Sequence, residues 1–289
     1  MNTGKPQERT FPRTEVFEEI DRLGLNANVL ELESEGFTVV PSVLDVDTIA
    51  RAQDAILNQL ERKTGSRPDL KTYDGPALPL AHFLLFEDEV FEQILMNEVM
   101  LALMVYLLGQ SLTISSMTSH VKASANGHLP LHSDTPGMTP FRSESIVANC
   151  NFALDDYTKE NGCLAIIPST HRLGRNPTGD ENNPHTNPFV VPVEVPIGSA
   201  IIYHGNTWHG AFKREAPGVR LNLAVFMARN FITRQERIKE NVTSEMIKRN
   251  GERFARLCSL YEFNGYEEEG PDFAKAAKYP GFLIDPRFG

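Results

Sequence analysis

The chain has 289 residues, 41% of them hydrophobic, and a formal net charge of −10, as in an ordinary globular protein. Its acidic residues are dispersed, which argues against a nucleic-acid partner, since phosphate backbones require clustered lysine and arginine. No run approaches the roughly 18 apolar residues of a membrane span. The polar N-terminal segment MNTGKPQERTFPRTE does not resemble a signal peptide. We therefore expect no membrane association and a cytoplasmic location.

The first part of the chain has helical patterns. The predicted elements are a helix at 15–23, a strand at 36–40, a helix from 45 or 47 to 63, and a strongly apolar helix at 97–108. Asp45 or Asp47 can cap the second helix, and Gly65 and Gly109 are expected to end the second and third. The first 28 residues otherwise form a polar lead-in.

From residue 111 the pattern changes to short strands between turn residues. The predicted strands lie within 111–123, 146–154, 162–168, 189–195, 199–205 and 219–228. Spaced strands of this kind favour an antiparallel sandwich or barrel over parallel βαβ units. A helix is then predicted over about 233–257. We interpret residues 1–289 as a single α+β domain with a mainly β core, on which a C-terminal helix and tail (232–289) pack.

The segment HSDTPG begins with a motif that can bind a metal. Residues i and i+2 of a strand project from the same face, so His132 and Asp134 would point to one spot. A buried His–Asp hydrogen bond without a metal is the alternative, and an HxD pair by itself is weak evidence.

A second histidine and an arginine lie near the end of the β region. If a hairpin turn centres between Glu215 and Ala216, His209 and Arg220 become diagonal cross-strand neighbours. Such neighbours lie about 7–8 Å apart at their backbones, so both side chains could reach one ligand. A slip of one residue would place them on opposite faces. His204 is the rival for the second metal-binding histidine.

Two histidines and one carboxylate form the facial triad of non-haem Fe(II) oxygenases, which leaves coordination positions open. 2-Oxoglutarate can fill two of them through its C1 carboxylate and keto group, and O2 the third. The C5 carboxylate then needs a fixed, planar cation. Arg220 suits that task better than a lysine, because its guanidinium pairs bidentately with a carboxylate.

The chain resembles the phytanoyl-CoA dioxygenase family of Fe(II)/2-oxoglutarate oxygenases. The segments that carry the resemblance are GFTVVPSVLDVDTIARAQDAI, HSDTPG, LDDYTKENGCLAIIPSTH and PIGSAIIYHGNTWHGA, followed by Arg220. The resemblance implies a double-stranded β-helix (jelly-roll) with flanking helices, and catalysis that releases succinate and CO2. Hydroxylation is the usual outcome in such a family, while desaturation, epoxidation or ring rearrangement occur in relatives. Because Asp134 is retained, halogenation is disfavoured.

Further site residues follow from the resemblance and from chain position. Many relatives have a polar residue where this chain has Leu129, so the contact to the C1 carboxylate must come from elsewhere. Candidates for binding 2-oxoglutarate besides Arg220 are Thr170, Lys122, Asn149 and Asn151. Candidates for lining the substrate entrance are Tyr73, Met138, Phe141 and Arg142. The segment 172–188 is predicted to be a lid or a surface connection. We interpret His120, His128 and His171 as structural.

The sequence therefore predicts an Fe(II)- and 2-oxoglutarate-dependent oxygenase that uses O2 on a small organic molecule, such as a secondary metabolite or lipid-like compound. A non-catalytic jelly-roll that binds a small molecule is the alternative from another class, and a zinc hydrolase would leave Arg220 without a purpose. The oligomeric state is open, and a homodimer is compatible with the sequence.

Overall fold

The structure is a computed structural model that describes residues 12–137, 139–260, 266–267 and 270–271. The helices are α1 (Pro12–Arg22), α2 (Asn26–Glu35), α3 (Val46–Thr64), α4 (Glu89–Leu95), α5 (Glu98–Leu108) and α6 (Ser244–Leu257). The strands are β1 (Phe37–Val40), β2 (Leu112–Thr118), β3 (Leu129–His132), β4 (Val147–Ala153), β5 (Leu164–Ile166), β6 (Val191–Val193), β7 (Ala200–His204), β8 (His209–Ala211), β9 (Asn222–Arg229), β10 (Tyr266–Glu267) and β11 (Gly270–Pro271).

Helices α3 and α5 begin and end within one residue of the predicted bounds, whereas α1 begins three residues before the predicted start. The Asp45 carboxylate accepts a hydrogen bond from Thr48 N and caps α3, since a helix start leaves backbone N–H groups without partners. Gly65 follows α3 in the left-handed conformation (φ 81°) that glycine adopts without strain. Asn97 caps α5 in the same way.

Two antiparallel sheets form the β core. The larger has the strand order β1-β7-β4-β9-β2, and the smaller has the order β3-β8-β5-β6. Apart from β5 and β6, neighbours in each sheet are not consecutive along the chain, which is the arrangement of a jelly-roll. The predicted fold class is thereby confirmed. Five of the six predicted strand segments contain one whole strand, and β9 extends one residue beyond the sixth.

Alternation along the strands separates two faces of the larger sheet. In β4, Ala148 and Cys150 join the apolar core that the sheet shares with the helices, whereas Asn149 and Asn151 face a cavity on the other side. In β9, Leu223 belongs to the core and Asn222 to the cavity. Because side chains alternate with a period of two, each of these strands presents polar groups to one side only. The cavity therefore lies between the two sheets.

Within the described ranges, no single helix is long and apolar enough to cross a membrane. The pair α4 and α5 passes a joint test of length and composition, but the two helices are bent by 52° at their junction. Most of the side chains of this pair are buried in the protein core.

Three predictions about the elements are corrected by the structure. The C-terminal helix begins at Ser244 rather than near 233, because Glu236 holds the preceding segment against the core by accepting hydrogen bonds from Phe83 N and Met117 N. Helices α2 and α4 were not predicted, since each is short and α2 buries few apolar side chains. The lead-in therefore contains the start of α2.

The third correction concerns the predicted hairpin between His209 and Arg220. Strand β8 pairs with β3 and β5, whereas β9 pairs with β4 and β2, so the two lie in different sheets. The segment between them crosses from one sheet to the other. Arg220 instead forms an isolated antiparallel bridge with Lys122.

Candidate active site

His132 and His209 are brought together by the pairing of β3 with β8. They are directly opposite each other in the register, so their side chains leave the sheet on the same face. Their rings lie 4.4 Å apart between centroids. Neighbouring strands of the smaller sheet thus place two imidazoles at one end of the cavity.

Asp134 completes this cluster from just beyond the end of β3. Its backbone N donates to Gly205 O at 2.9 Å, which fixes the chain after the strand. One carboxylate oxygen lies 3.5 Å from His132 Nε2, and the other lies 3.5 Å from His209 Nε2. One potential ligand atom from each of the three residues lies within 4.8 Å of the other two.

The backbone fixes which nitrogen of each imidazole faces the cluster. His132 Nδ1 is 2.9 Å from Pro130 O, and His209 Nδ1 is 3.0 Å from Thr207 O. A carbonyl can only accept, so Nδ1 carries the proton in each ring. The lone pair of Nε2 therefore points toward Asp134, as metal-binding histidines are usually held.

The pKa of Asp134 reflects two opposing influences. Burial is the largest single influence and raises the pKa. The combined effect of His209, His132 and the Asn149 amide is stronger and holds the pKa of Asp134 below its ordinary value. The side chain is therefore a carboxylate at neutral pH. A buried carboxylate between two imidazole lone pairs favours a divalent cation, which would neutralise part of its charge.

The cavity beside this cluster has a volume of about 270 Å³. Amide and phenol groups form a hydrogen-bonded chain along its wall: Asn222 donates to Asn151, and Asn151 Nδ2 donates to Tyr203 Oη at 2.9 Å. The Tyr203 ring lies 4.5 Å from that of His209. This row of hydrogen-bonded side chains supports the His209 ring from the side of the larger sheet.

Arg220 lies in the same cavity and is 3% exposed. Its guanidinium lies over the Tyr157 ring, with Cζ 4.5 Å from the centroid, and one terminal nitrogen donates to Tyr157 Oη. No hydrogen-bond partner is present for Nε among the described residues. The buried guanidinium of Arg220 thus has no carboxylate partner among the described residues, and it is a site where an anion can bind.

The phytanoyl-CoA dioxygenase (PhyH) family model matches residues 32–221, more than half of the chain, and spans this whole constellation. The chain belongs to the phytanoyl-CoA dioxygenase family. It is accordingly a dioxygenase that uses Fe(II), 2-oxoglutarate and O2.

Sequence and structural similarity to known proteins is consistent with this family assignment. The ectoine dioxygenase of Stutzerimonas stutzeri (strain A1501) is 23% identical over 237 residues, which cover 71% of this chain and 77% of that protein. HygX from Streptomyces hygroscopicus, crystallised with nickel and 2-oxoglutarate, has a TM-score of 0.60 at 16% identity and covers 76% of this chain and 93% of its own. The epimerase SnoN, crystallised with Fe3+, alpha ketoglutarate and nogalamycin RO, has a TM-score of 0.55 at 21% identity, with 72% and 84% covered. These two structures share the fold of this family member.

Several predicted site residues of this PhyH-family chain line the cavity and others do not. The residues that the cavity brings together are His132, Asp134, His209, Arg220, Lys122, Asn149 and Asn151. Both ends of the Asn151 amide are already engaged, by Asn222 and Tyr203. The Asn149 amide donates to Asp134 at 3.4 Å, and its Oδ1 lacks a partner among the described residues.

Thr170, a candidate 2-oxoglutarate contact, lies outside this cavity. Its hydroxyl donates to Ile167 O at 2.7 Å and accepts from Trp208 N at 2.9 Å, so it has a structural role in the smaller sheet. His204 also points elsewhere: its Nε2 lies 3.2 Å from Ser143 O and its Nδ1 accepts from Asn206 N. His209, rather than its rival, is the histidine at the cluster.

The predicted substrate residues also lie outside the cavity lining, as far as the structure describes them. The Tyr73 hydroxyl donates to Pro76 O, Phe141 is buried with its N bonded to Gly174 O, and Arg142 is exposed beside Glu144. Met138 lies outside the described residues. These loops have no periodicity from which side-chain directions could be predicted.

The cavity contains residues that sequence reasoning missed or judged structural. They are His120, His128, Tyr157, Tyr203, Asn222, Leu78 and Leu80. The Asn126 amide clamps the loop that carries the two leucines: Nδ2 donates to Leu78 O at 2.9 Å, and Oδ1 accepts from Leu78 N at 3.3 Å. Alternation with the apolar residues of β9 was the one signal that could have identified Asn222.

We predict that Gly210→Ala disturbs the cluster of His132, Asp134 and His209. A Cβ at this position would lie 2.4 Å from Leu129 O and 3.0 Å from Pro130 O, so β8 must move away from β3. Overpacking of this kind costs about 1–3 kcal/mol, and it displaces His209 relative to His132. We expect a lower melting temperature and weaker Fe(II) binding by anaerobic titration.

Gly251→Ala is the control for this prediction. A Cβ there meets nothing within 4 Å, although the backbone has φ of 78°. Its backbone (φ 78°, ψ −168°) lies in a region that glycine alone populates freely. A side chain there costs about 1–3 kcal/mol, without effect on Fe(II) affinity. Wild-type Fe(II) affinity in the Gly210→Ala variant would show that the spacing of the two strands does not control the site.

Proposed function

We propose that this dioxygenase hydroxylates a small organic molecule, with His132, Asp134 and His209 holding Fe(II) and Arg220 holding the C5 carboxylate of 2-oxoglutarate. The observation that carries the proposal is the placement of a metal-binding triad and a buried guanidinium in one cavity. A zinc hydrolase would use the first of these features and not the second.

The donor set fits Fe(II). Two neutral imidazole nitrogens and one carboxylate oxygen converge from one side, and imidazole with carboxylate is the ligand set of the open facial triad. All three side chains line the cavity, which would give the other ligands of the metal room to bind. The backbone carbonyls of Pro130 and Thr207 hold the rings in the orientation that binding requires.

Arg220 fits the far end of 2-oxoglutarate. The cation–π stacking on Tyr157 fixes the plane of the guanidinium, and the orphaned Nε supplies a donor for a carboxylate oxygen. Asn149 projects from β4 of the larger sheet, and its amide donates to Asp134 and orients it. Its Oδ1 is buried and lacks a partner among the described residues.

With Fe(II) and 2-oxoglutarate held in this cavity, O2 would give one oxygen atom to succinate as 2-oxoglutarate loses CO2, and the other oxygen atom to the substrate. The chain's own residues hold the reacting groups and limit the access of water. His209, Tyr203 and Arg220 are nearly fully buried, so the inner end of the cavity is shielded from solvent. Leu78 and Leu80 form part of the outer wall, where a small apolar group can approach.

A small substrate fits the size of the cavity, because 2-oxoglutarate itself occupies part of the about 270 Å³. Two similar proteins also support small-molecule oxidation: one is an ectoine dioxygenase, and the other is an epimerase crystallised with nogalamycin RO. Because one of these proteins is an epimerase, an oxidative reaction other than hydroxylation is the alternative outcome for this chain.

A screen of candidate metabolites tests the proposed function. The purified protein with Fe(II), 2-oxoglutarate and O2 is expected to release succinate faster with its substrate, and the product is expected to gain one oxygen atom by mass spectrometry. Oxygen from labelled O2 should appear in that product. Succinate release coupled to a product that has lost hydrogen, or has only been rearranged, would contradict hydroxylation and retain the oxygenase.

A further inference from the structure

Lys122 lies beside Arg220 in the same cavity. The two residues form an antiparallel bridge in which each backbone N donates to the other's carbonyl at 2.9 Å. Directly paired residues place their side chains on one face, about 4.5–5.5 Å apart at Cβ. Both line the cavity, and Lys122 is 6% exposed. Two cations are therefore built side by side into a buried wall.

Such a pair is unfavourable unless anions compensate it. Across residues 12–137 and 139–260, neither Lys122 nor Arg220 forms an ion pair with a carboxylate. Burial, and then the neighbouring Arg220, lower the pKa of Lys122 to about 8, so the ammonium form still predominates at pH 7. The positive charge at this position is present in the working enzyme.

The charges of the proposed iron site leave Lys122 uncompensated. The two positive charges of Fe(II) are balanced by Asp134 and the C1 carboxylate of 2-oxoglutarate, and Arg220 is balanced by the C5 carboxylate. No negative charge of the cofactors then remains for Lys122. This count rests on the proposed function.

The edge of the cavity next to Lys122 carries a second lysine. His128 lines the cavity and contacts His185 of the 172–188 segment, with ring centroids 5.3 Å apart. His185 in turn packs at 5.5 Å on Phe212, and Lys159 lies over the same ring. Lys122 and Lys159 flank this edge of the cavity, and Glu215 also lies near His185. The two ammonium groups outnumber that carboxylate, which favours entry of an anion.

We propose that Lys122 receives an acidic group of the substrate, a carboxylate or a phosphate, and so selects small organic acids over neutral compounds. The apolar part of the substrate lies along the cavity wall formed by Leu78, Leu80 and Leu129. Lys122 is then a specificity-determining residue rather than a contact of 2-oxoglutarate.

The test uses the protein loaded anaerobically with Fe(II) and saturating 2-oxoglutarate, so that Arg220 is occupied. Isothermal titration calorimetry compares hexanoate with hexanamide, which differ in charge and hardly in shape. Wild type is expected to prefer the acid by about 10-fold, the size of one charge-assisted hydrogen bond. Lys122→Met should abolish this preference, and Lys122→Arg, which keeps the charge, should retain it.

Competition separates the two acidic groups. Inorganic phosphate that displaces hexanoate more strongly than acetate does would assign the site to phosphate, and the reverse order would assign it to carboxylate. Either order supports the proposal.

Three results would overturn the proposal: equal binding of hexanoate and hexanamide in wild type, an acid preference that persists in Lys122→Met, or a loss of 2-oxoglutarate affinity in that variant. The visible charge-transfer band of the loaded protein monitors the iron site independently. Its absence in wild type would refute the proposed function, whereas a normal band without acid preference would refute only the role of Lys122.

Discussion

Replacing Asp134 by alanine is expected to abolish turnover and to weaken Fe(II) binding by more than about 100-fold, since even partners that only orient metal ligands are worth 10–100-fold in affinity. Asp134 supplies the one carboxylate of the cluster, and its oxygens lie 3.5 Å from both histidine Nε2 atoms. The variant retains two neutral imidazoles, which cannot offset the charge of the ion. Equilibrium dialysis with Fe(II) and succinate release measure the two effects.

Asp74→Ala is the matched control, because Asp74 is exposed in the loop after α3. It should bind Fe(II) and release succinate as wild type does. The Asp134→Ala protein is expected to stay folded by circular dichroism, since Asp134 contributes no apolar packing. Full activity in that variant would mean that the metal is bound elsewhere.

Arg220→Met is expected to raise the KM for 2-oxoglutarate by about 100-fold, the effect of losing a charge-assisted pair worth up to about 3 kcal/mol. The side chain is buried and stacks on Tyr157, and its Nε has no partner among the described residues. Turnover at saturating 2-oxoglutarate should fall much less, because the iron ligands are untouched. Arg220→Lys should give an intermediate KM, since lysine keeps the charge and loses the planar fork.

Arg214→Met provides the comparison with another buried arginine. The Arg214 guanidinium donates to the backbone carbonyls of Gly218 and Pro217 and does not line the cavity. Its loss should lower the melting temperature and leave the KM for 2-oxoglutarate unchanged. An unchanged KM in Arg220→Met, or an equal rise in both variants, would contradict the assignment of Arg220.

Much of the fold could be predicted because periodicity and capping are local properties. Asp45 and Gly65 delimit α3 as their chemistry requires, and the alternation of β4 separates Asn149 and Asn151 from the apolar core. Helix α4 was missed because a segment of two turns carries too little periodic signal.

Long-range pairing could not be predicted in the same way. Arg220 and His209 line one cavity, so both can reach one ligand as predicted. Arg220 is placed there by a bridge to Lys122 rather than by a hairpin with His209. Which distant strands pair depends on tertiary packing, which the local pattern does not encode. Thr170 illustrates the same limit, since only the folded chain brings its hydroxyl to Trp208 N.

The most direct test of the iron and 2-oxoglutarate site is an anaerobic titration followed by visible absorption. Wild-type protein with Fe(II) is expected to develop a weak charge-transfer band as 2-oxoglutarate is added, saturating at one equivalent. The band should be absent in His132→Ala and should require more 2-oxoglutarate in Arg220→Met. A wild-type protein that gives no band and no slow succinate release in air, yet hydrolyses a substrate with zinc, would contradict the assignment.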